Sequence, residues 1–96
     1  MFTVIISFPP IMEGKEVEFQ KWFASSNQAY SGFKGFISRK LLKPLEGGTY
    51  AAIVEFENRD GFKLMHSSFI HDKEGEEVQP MFNGKPTPKF YEVIQG

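Results

Sequence analysis

The sequence has no cysteine, a single tryptophan and no surplus of charge: 11 Lys and Arg stand against 12 Asp and Glu, for a formal net charge of -1. Without thiols there is no disulfide, no thiolate nucleophile and no Cys-ligated zinc, and disulfide-stapled secreted scaffolds are excluded with them. Balanced charge leaves no basic field for a phosphate backbone, so nucleic acid is not an expected partner. Long hydrophobic runs are missing too. The apolar start MFTVIISFPP is short, has no basic leader and meets a double proline, which fits neither a signal peptide nor a membrane span. It reads as a strand, and the chain as a cytoplasmic protein without a membrane partner. Gly47-Gly48 lacks the helix and Lys-Ser/Thr that follow a phosphate cradle, and no G-x-S-x-G elbow occurs. His66 and His71 are five residues apart, whereas ligands on one helical face want a separation of about three or four. Neither a metal nor another cofactor is expected.

What the sequence does have is phenylalanine, 11 residues of 96, in a chain that is 41% hydrophobic. This is ample for one core and leaves apolar material for a second surface. At this length a single domain, residues 1–96, is the expectation.

Periodicity orders the elements. Phe2 to Phe8 alternates, with Phe2, Val4, Ile6 and Phe8 on one side, and predicts a first strand that Pro9 and Pro10 end. From Lys15 to about Ser31, Phe19, Trp22, Phe23 and Tyr30 recur at helical spacing among charged residues, an amphipathic helix. Phe36 to Leu42 reads as a strand with Ile37, Arg39 and Leu41 opposite Phe36, Ser38, Lys40 and Leu42. The Pro- and Gly-bearing segment 43–48 turns it into a hairpin with Thr49 to Glu57. Asn58 is a plausible N-cap for a second helix in which Phe62, Met65, His66, Phe69 and Ile70 form one stripe; it either breaks near Ser67 and Ser68 or runs on to Val78. Pro80 to Pro88 reads as a loop, and Lys89 to Ile94 as the closing strand. The order is βαββαβ, an α+β ferredoxin-like domain.

Such a domain packs both helices on one face of its sheet. Here the strands carry apolar residues on both faces, Ile5 against Val4, Leu41 against Leu42, Ile53 against Val54, where a wet face would alternate with polar residues. Burying each such side chain is worth about 1.5–3 kcal/mol, so a homodimer is expected; the alternative is a monomer whose Arg39 and Lys40 stems cover the second face.

Candidate site residues are those that interrupt apolar stripes. His66 lies among Phe62, Met65, Phe69 and Ile70, where burial would favour the neutral imidazole that a general base needs; otherwise it is a core histidine bonded to a carbonyl. His71 falls further round, among charges. Ser26 and Asn27 sit where the first helix's stripe predicts apolar groups, and with Tyr30 either line a pocket or bond locally to the helix backbone. Arg39 either holds an anionic ligand or pairs with Glu55 across the hairpin. Trp22 is expected as a core anchor. Phe62 would complete the ligand contacts.

The strand FTVIISF, the helix end W-F-x-x-S-N, GFISRKLL, YAAIVEFEN, the helix GFKLMHSSFIH and the closing FYEVI together resemble the antibiotic biosynthesis monooxygenase-like proteins of the dimeric α+β barrel class, over essentially the whole chain. The resemblance implies a homodimer with a pocket in each subunit between sheet and helices. Some members of that family oxygenate polyphenolic or quinol-like substrates without metal or flavin, the substrate anion itself reducing O₂. It also carries the family's frequent helix-two histidine onto His66. The family's haem-degrading branch uses an Asn in the first strand, a Trp near the start of helix two and a haem-ligating His beyond it; those neighbourhoods here hold Ile6 and Ser7, Phe56, and Glu74 to Glu76. The functions in view are thus a cofactor-independent monooxygenase of small aromatic or quinol-type substrates with His66 as base and Asn27, Tyr30 and Arg39 orienting, a non-catalytic dimer that binds a small apolar or aromatic ligand, and, third, a haem-binding protein.

Overall fold

Phe2, Val4 and Phe8 are buried while Ile5 is open, so the alternation of the first segment becomes a strand covered on one side. The computed structural model describes residues 1–96 as β1 (Phe2–Ser7), α1 (Glu16–Tyr30), β2 (Phe36–Leu42), β3 (Ala51–Phe56), α2 (Arg59–His66), α3 (Phe69–Val78), a single 3-10 turn (Gln79–Met81) and β4 (Thr87–Glu92). The sheet runs β2-β3-β1-β4 with every neighbour antiparallel. This is the ferredoxin-like α+β arrangement, with α2 and α3 sharing the place of the second helix. No helix is long and apolar enough to cross a membrane.

Three local features depart from simple periodicity. In β2, Phe36 pairs with Phe56 and Ser38 with Glu55, which leaves Ile37 as the extra residue of a β-bulge. The bulge shifts the phase, so Phe36 packs inward with Arg39 and Leu41 instead of facing out with Ser38, Lys40 and Leu42; its ring meets Phe56 edge-on at 5.6 Å. Closing strand β4 begins at Thr87 and ends at Glu92 rather than spanning Lys89 to Ile94, and it accommodates Pro88 because it is an edge strand. The second helix breaks. Ser67 Oγ donates to the Lys63 carbonyl at 2.9 Å and Ser68 Oγ to that of Met65 at 2.6 Å, ending α2 by local bonds that compete with the helical ladder. Ser68 then adopts an extended conformation and accepts from the His71 N–H at 3.1 Å, capping α3. Beyond the break the expected stripe is lost: Phe62 and Met65 are buried, but Phe69 is 80% exposed.

The cap at Asn58 is as expected, its side chain accepting from the Gly61 N–H at 2.9 Å. Gly35, at φ +85°, reverses the chain between α1 and β2, a conformation only glycine adopts without strain. The buried apolar residues fall into two clusters, one around Phe8, Phe19, Phe23 and Phe82 and one around Phe2, Val54, Phe56 and Phe62, and Ile6 touches both. On the opposite face of the sheet Ile5, Leu42, Tyr91 and Val93 are exposed.

Because Ser68 both ends one helix and begins the next, Ser68→Ala is expected to lower stability by about 1 kcal/mol. Ser67→Ala, which loses only exposed bonds, costs less; urea unfolding of both variants checks the order.

Candidate functional site

The two clusters do not close on each other. Between them lies a cavity of about 290 Å³, floored by Val4, Ile6 and Val54 and walled by Trp22 and Tyr30 of α1 and by Phe62 and Met65 of α2. Its polar lining consists chiefly of Arg39, Tyr30, His66 and His71. A second depression, of about 370 Å³, lies where Met1, Arg59 and Tyr91 meet and has a less apolar lining.

Arg39 points to the helices because its strand partner, Val54, does so. It is 9% exposed, and its Nη1 donates to Ser26 Oγ at 2.6 Å and Asn27 Oδ1 at 2.8 Å. The Asn27 amide in turn donates to the Arg39 carbonyl at 3.1 Å, so one side chain of α1 grips both the head and the backbone of the arginine. The guanidinium lies 3.9 Å from the centre of the Phe23 ring and 4.8 Å from that of Tyr30, within cation–π range. Desolvation lowers its pKa to about 10, which leaves it charged at neutral pH. Burial likewise pushes the Tyr30 hydroxyl up to about 12, against the pull of Arg39, so Tyr30 stays a phenol.

The break at Ser67 and Ser68 turns α3 back so that His66 and His71 meet, with ring centres 4.4 Å apart. His66 also stacks on Phe62 at 5.5 Å, and His71 on Tyr30 at 6.2 Å. Burial, followed by the neighbouring His66, lowers the pKa of His71. One turn on, Glu74 is buried with one carboxylate oxygen unpartnered, and burial raises its pKa. The backbone carbonyl of Glu74 accepts from Trp22 Nε1 at 3.1 Å.

Against the sequence reading, the structure brings His66, Tyr30, Arg39 and Phe62 to one cavity, with three corrections. His66 stands exposed at the rim, since the stripe that was to bury it ends with α2. Asn27 does not line the cavity; its amide is occupied by Arg39. Arg39 does not pair with Glu55, which is on the other face and accepts from Ser38 at 3.0 Å. Trp22 is the expected core residue and a cavity wall at once. Sequence reasoning missed His71 and Glu74, because it placed His71 by continuing a helix that breaks. The signal available was Ser68 itself, an N-cap residue three positions before His71. No group of three or more His, Cys, Asp or Glu is placed to hold a metal ion.

No protein-family model matches the sequence, and no curated protein matches it. Solved structures do. SnoaB, a cofactor-independent oxygenase from Streptomyces nogalater, superposes with a TM-score of 0.84 at 18% identity, over 99% of this chain and 94% of that one. A Bordetella bronchiseptica protein described as a candidate antibiotic biosynthesis monooxygenase gives 0.82 at 17% identity, over 98% of each chain. MhuD, a haem-degrader from Mycobacterium tuberculosis solved with two haems in its active site, gives 0.80 at 22% identity, over 100% of this chain and 98% of that one. The chain therefore has the fold of the antibiotic biosynthesis monooxygenases; at these identities the likeness is one of fold.

The folded protein holds His71 below its ordinary value of 6.5, so on acidification the unfolded chain takes up this proton first. Stability is expected to fall as pH drops from 6.5 through the folded pKa of His71. Glu74, held above 4.5, acts in the opposite sense, adding stability as pH falls through its folded value toward 4.5. His71→Gln should remove the first slope and leave the second, read as urea midpoints between about pH 8 and about pH 4. Equal slopes in both proteins would mean that the His71 imidazole is not desolvated.

Proposed function

We propose that the protein is a homodimeric oxygenase that acts on small aromatic, quinol-type substrates without metal or flavin, the substrate anion itself reducing O₂. The observation that carries this reading is the largely apolar cavity into which an imidazole pair, a phenol and a charged guanidinium converge. Such a site offers what this chemistry asks of a protein: a dry, oriented pocket and a base. SnoaB, similar in fold across nearly the whole chain, is a cofactor-independent oxygenase, which supports the same reading.

Of the two imidazoles, His71 is the better base, since it is half-buried, held toward its neutral form and stacked on Tyr30. It takes the substrate hydroxyl proton, and His66, 4.4 Å away at the exposed rim, passes it to water. Phe62 and Tyr30 flank the ring, and Arg39 holds its oxygen. Haem breakdown, the activity of MhuD, is the weaker alternative: Glu74 to Glu76 stand where that branch places its ligating histidine.

The second copy belongs on the bare sheet face. Ile5, Leu42, Tyr91 and Val93 are exposed there, and Thr3 Oγ1 is buried without a hydrogen-bond partner. Strand β4 is exposed along its whole length, an edge that a partner would cover.

With reduced naphthoquinols and polyphenols, an oxygen electrode should record uptake well above the protein-free rate. That excess should drop roughly 100-fold or more in His71→Ala and by less in His66→Ala. Uptake no faster than autoxidation with every substrate would leave a non-catalytic aromatic-binding protein. A haemin titration that produced a Soret shift would favour the haem reading instead. For the dimer, sedimentation velocity should give a two-chain species that Ile5→Asp converts to one chain with an unchanged far-UV spectrum; a wild-type monomer would refute it.

A further inference from the structure

A glycine inside a helix ordinarily has a reason in its backbone conformation or in a close neighbour. Gly61 in α2 has a neighbour: a Cβ there would stand 3.0 Å from the Lys34 carbonyl and 3.3 Å from the Phe56 ring. Gly75 in α3 has neither reason. Its φ lies outside the left-handed region, and a Cβ on it would meet no atom within 4 Å. Alanine would fit there and would favour the helix, in whose interior glycine is the poorest residue after proline.

What Gly75 does have is a place on the cavity. With His71 one turn before it and Gln79 one turn after, it belongs to the face of α3 and its C-cap that lines this space. Trp22, Tyr30 and Phe62 wall the cavity with buried rings, whereas His66, Gly75, Gln79 and Pro88 line it and are also exposed. The cavity therefore meets solvent along this border. Pro86 and Pro88, where the chain enters β4, line it as well, and their rings are rigid. Past the end of α3 the helix is tied to the loop before β4, Gln79 Nε2 donating to the Gly84 carbonyl at 2.9 Å. At Gly75, one turn back, no side chain projects and the border is bare backbone.

We infer that Gly75 is a specificity-determining residue: by giving the cavity border no side chain at this turn of α3, it leaves a portal through which a flexible hydrophilic chain borne by a bound aromatic nucleus reaches solvent. The nucleus lies among the buried rings and the chain crosses the backbone of Gly75 to the exposed side of α3, where Glu76 and Gln79 are polar. The inference rests on the cavity being the binding site for an aromatic ring, as proposed above, and is independent of the oxygenase chemistry. It extends the ligands to molecules longer than the cavity itself, a property that the residues around Arg39 and the two imidazoles do not set.

Two probes test this, methoxynaphthalene and the same naphthyl ether with a triethylene glycol chain in place of the methyl group; neither ionises or is consumed by O₂. Trp22 is the chain's one tryptophan and a wall of the cavity, so quenching of its emission reports occupancy. Wild type should bind both. Gly75→Leu, which keeps a good helix former at the position, should weaken the chain-bearing probe roughly tenfold or more and the methyl ether by less than about twofold. Gly75→Ala should bind both as wild type does and raise the urea midpoint. Equal weakening of the two probes by Gly75→Leu, no weakening of either, wild type that binds neither, or a lower midpoint in Gly75→Ala overturns the inference. Selective weakening in a protein that shows no quinol-dependent oxygen uptake would keep the portal and remove the oxygenase; uptake with equal weakening would do the reverse.

Discussion

A guanidinium set among aromatic rings must be held by hydrogen bonds or it destabilises the core that surrounds it. In this fold that requirement ties α1 to β2. Ser26 and Asn27 break the apolar stripe of the helix because Arg39 needs their oxygens, and Asn27 also caps the arginine's carbonyl. The bulge at Ile37 belongs to the same arrangement: it lets Phe36 pack inward on Phe56 while Arg39 and Leu41 keep the inward phase. Phe23 and Tyr30, at either side of the Ser-Asn pair, supply the ring faces on which the cation rests.

The abundance of phenylalanine has a corresponding use. Were the rings interdigitated into one cluster, the space over Arg39 would be filled. Instead Phe19 and Phe56, both fully buried, anchor separate clusters that share Ile6, and the gap between them is the cavity. Rigid aromatic walls keep such a gap from collapsing, since closing it would cost off-rotamer side chains and lost ring contacts. Chemistry then depends on which polar groups border the gap, and the α2–α3 break decides this by bringing two imidazoles together over it.

Much of this was legible beforehand. The strands at Phe2 and Ala51, the amphipathic α1, the Asn58 cap and the β2–β3 hairpin follow from spacing and turn chemistry, and four of the five residues put forward as site candidates border the cavity. What failed did so for definite reasons. A stripe from Phe62 to Ile70 presumes an unbroken helix, and two serine hydroxyls break it. Pairing Arg39 with Glu55 presumes a register that spacing alone does not fix, and the hairpin sets Arg39 opposite Val54 and Ser38 opposite Glu55. Asn27 was recognised as an anomaly in its stripe, but whether its amide met a ligand or a neighbour could not be read from α1 alone.

By itself, then, the amino-acid order determined the secondary elements, their βαββαβ succession and the presence of apolar residues on both sheet faces, because those depend on interactions between residues near in sequence and on two fixed periods. Tertiary structure alone decided that Arg39 is held through Nη1 by Ser26 and Asn27, that His71 rather than His66 is the half-buried imidazole, and that the aromatic core leaves a cavity between its clusters. Each of these is a difference between what a side chain offers and what its distant neighbours take up, and neither a spacing nor a composition records that remainder.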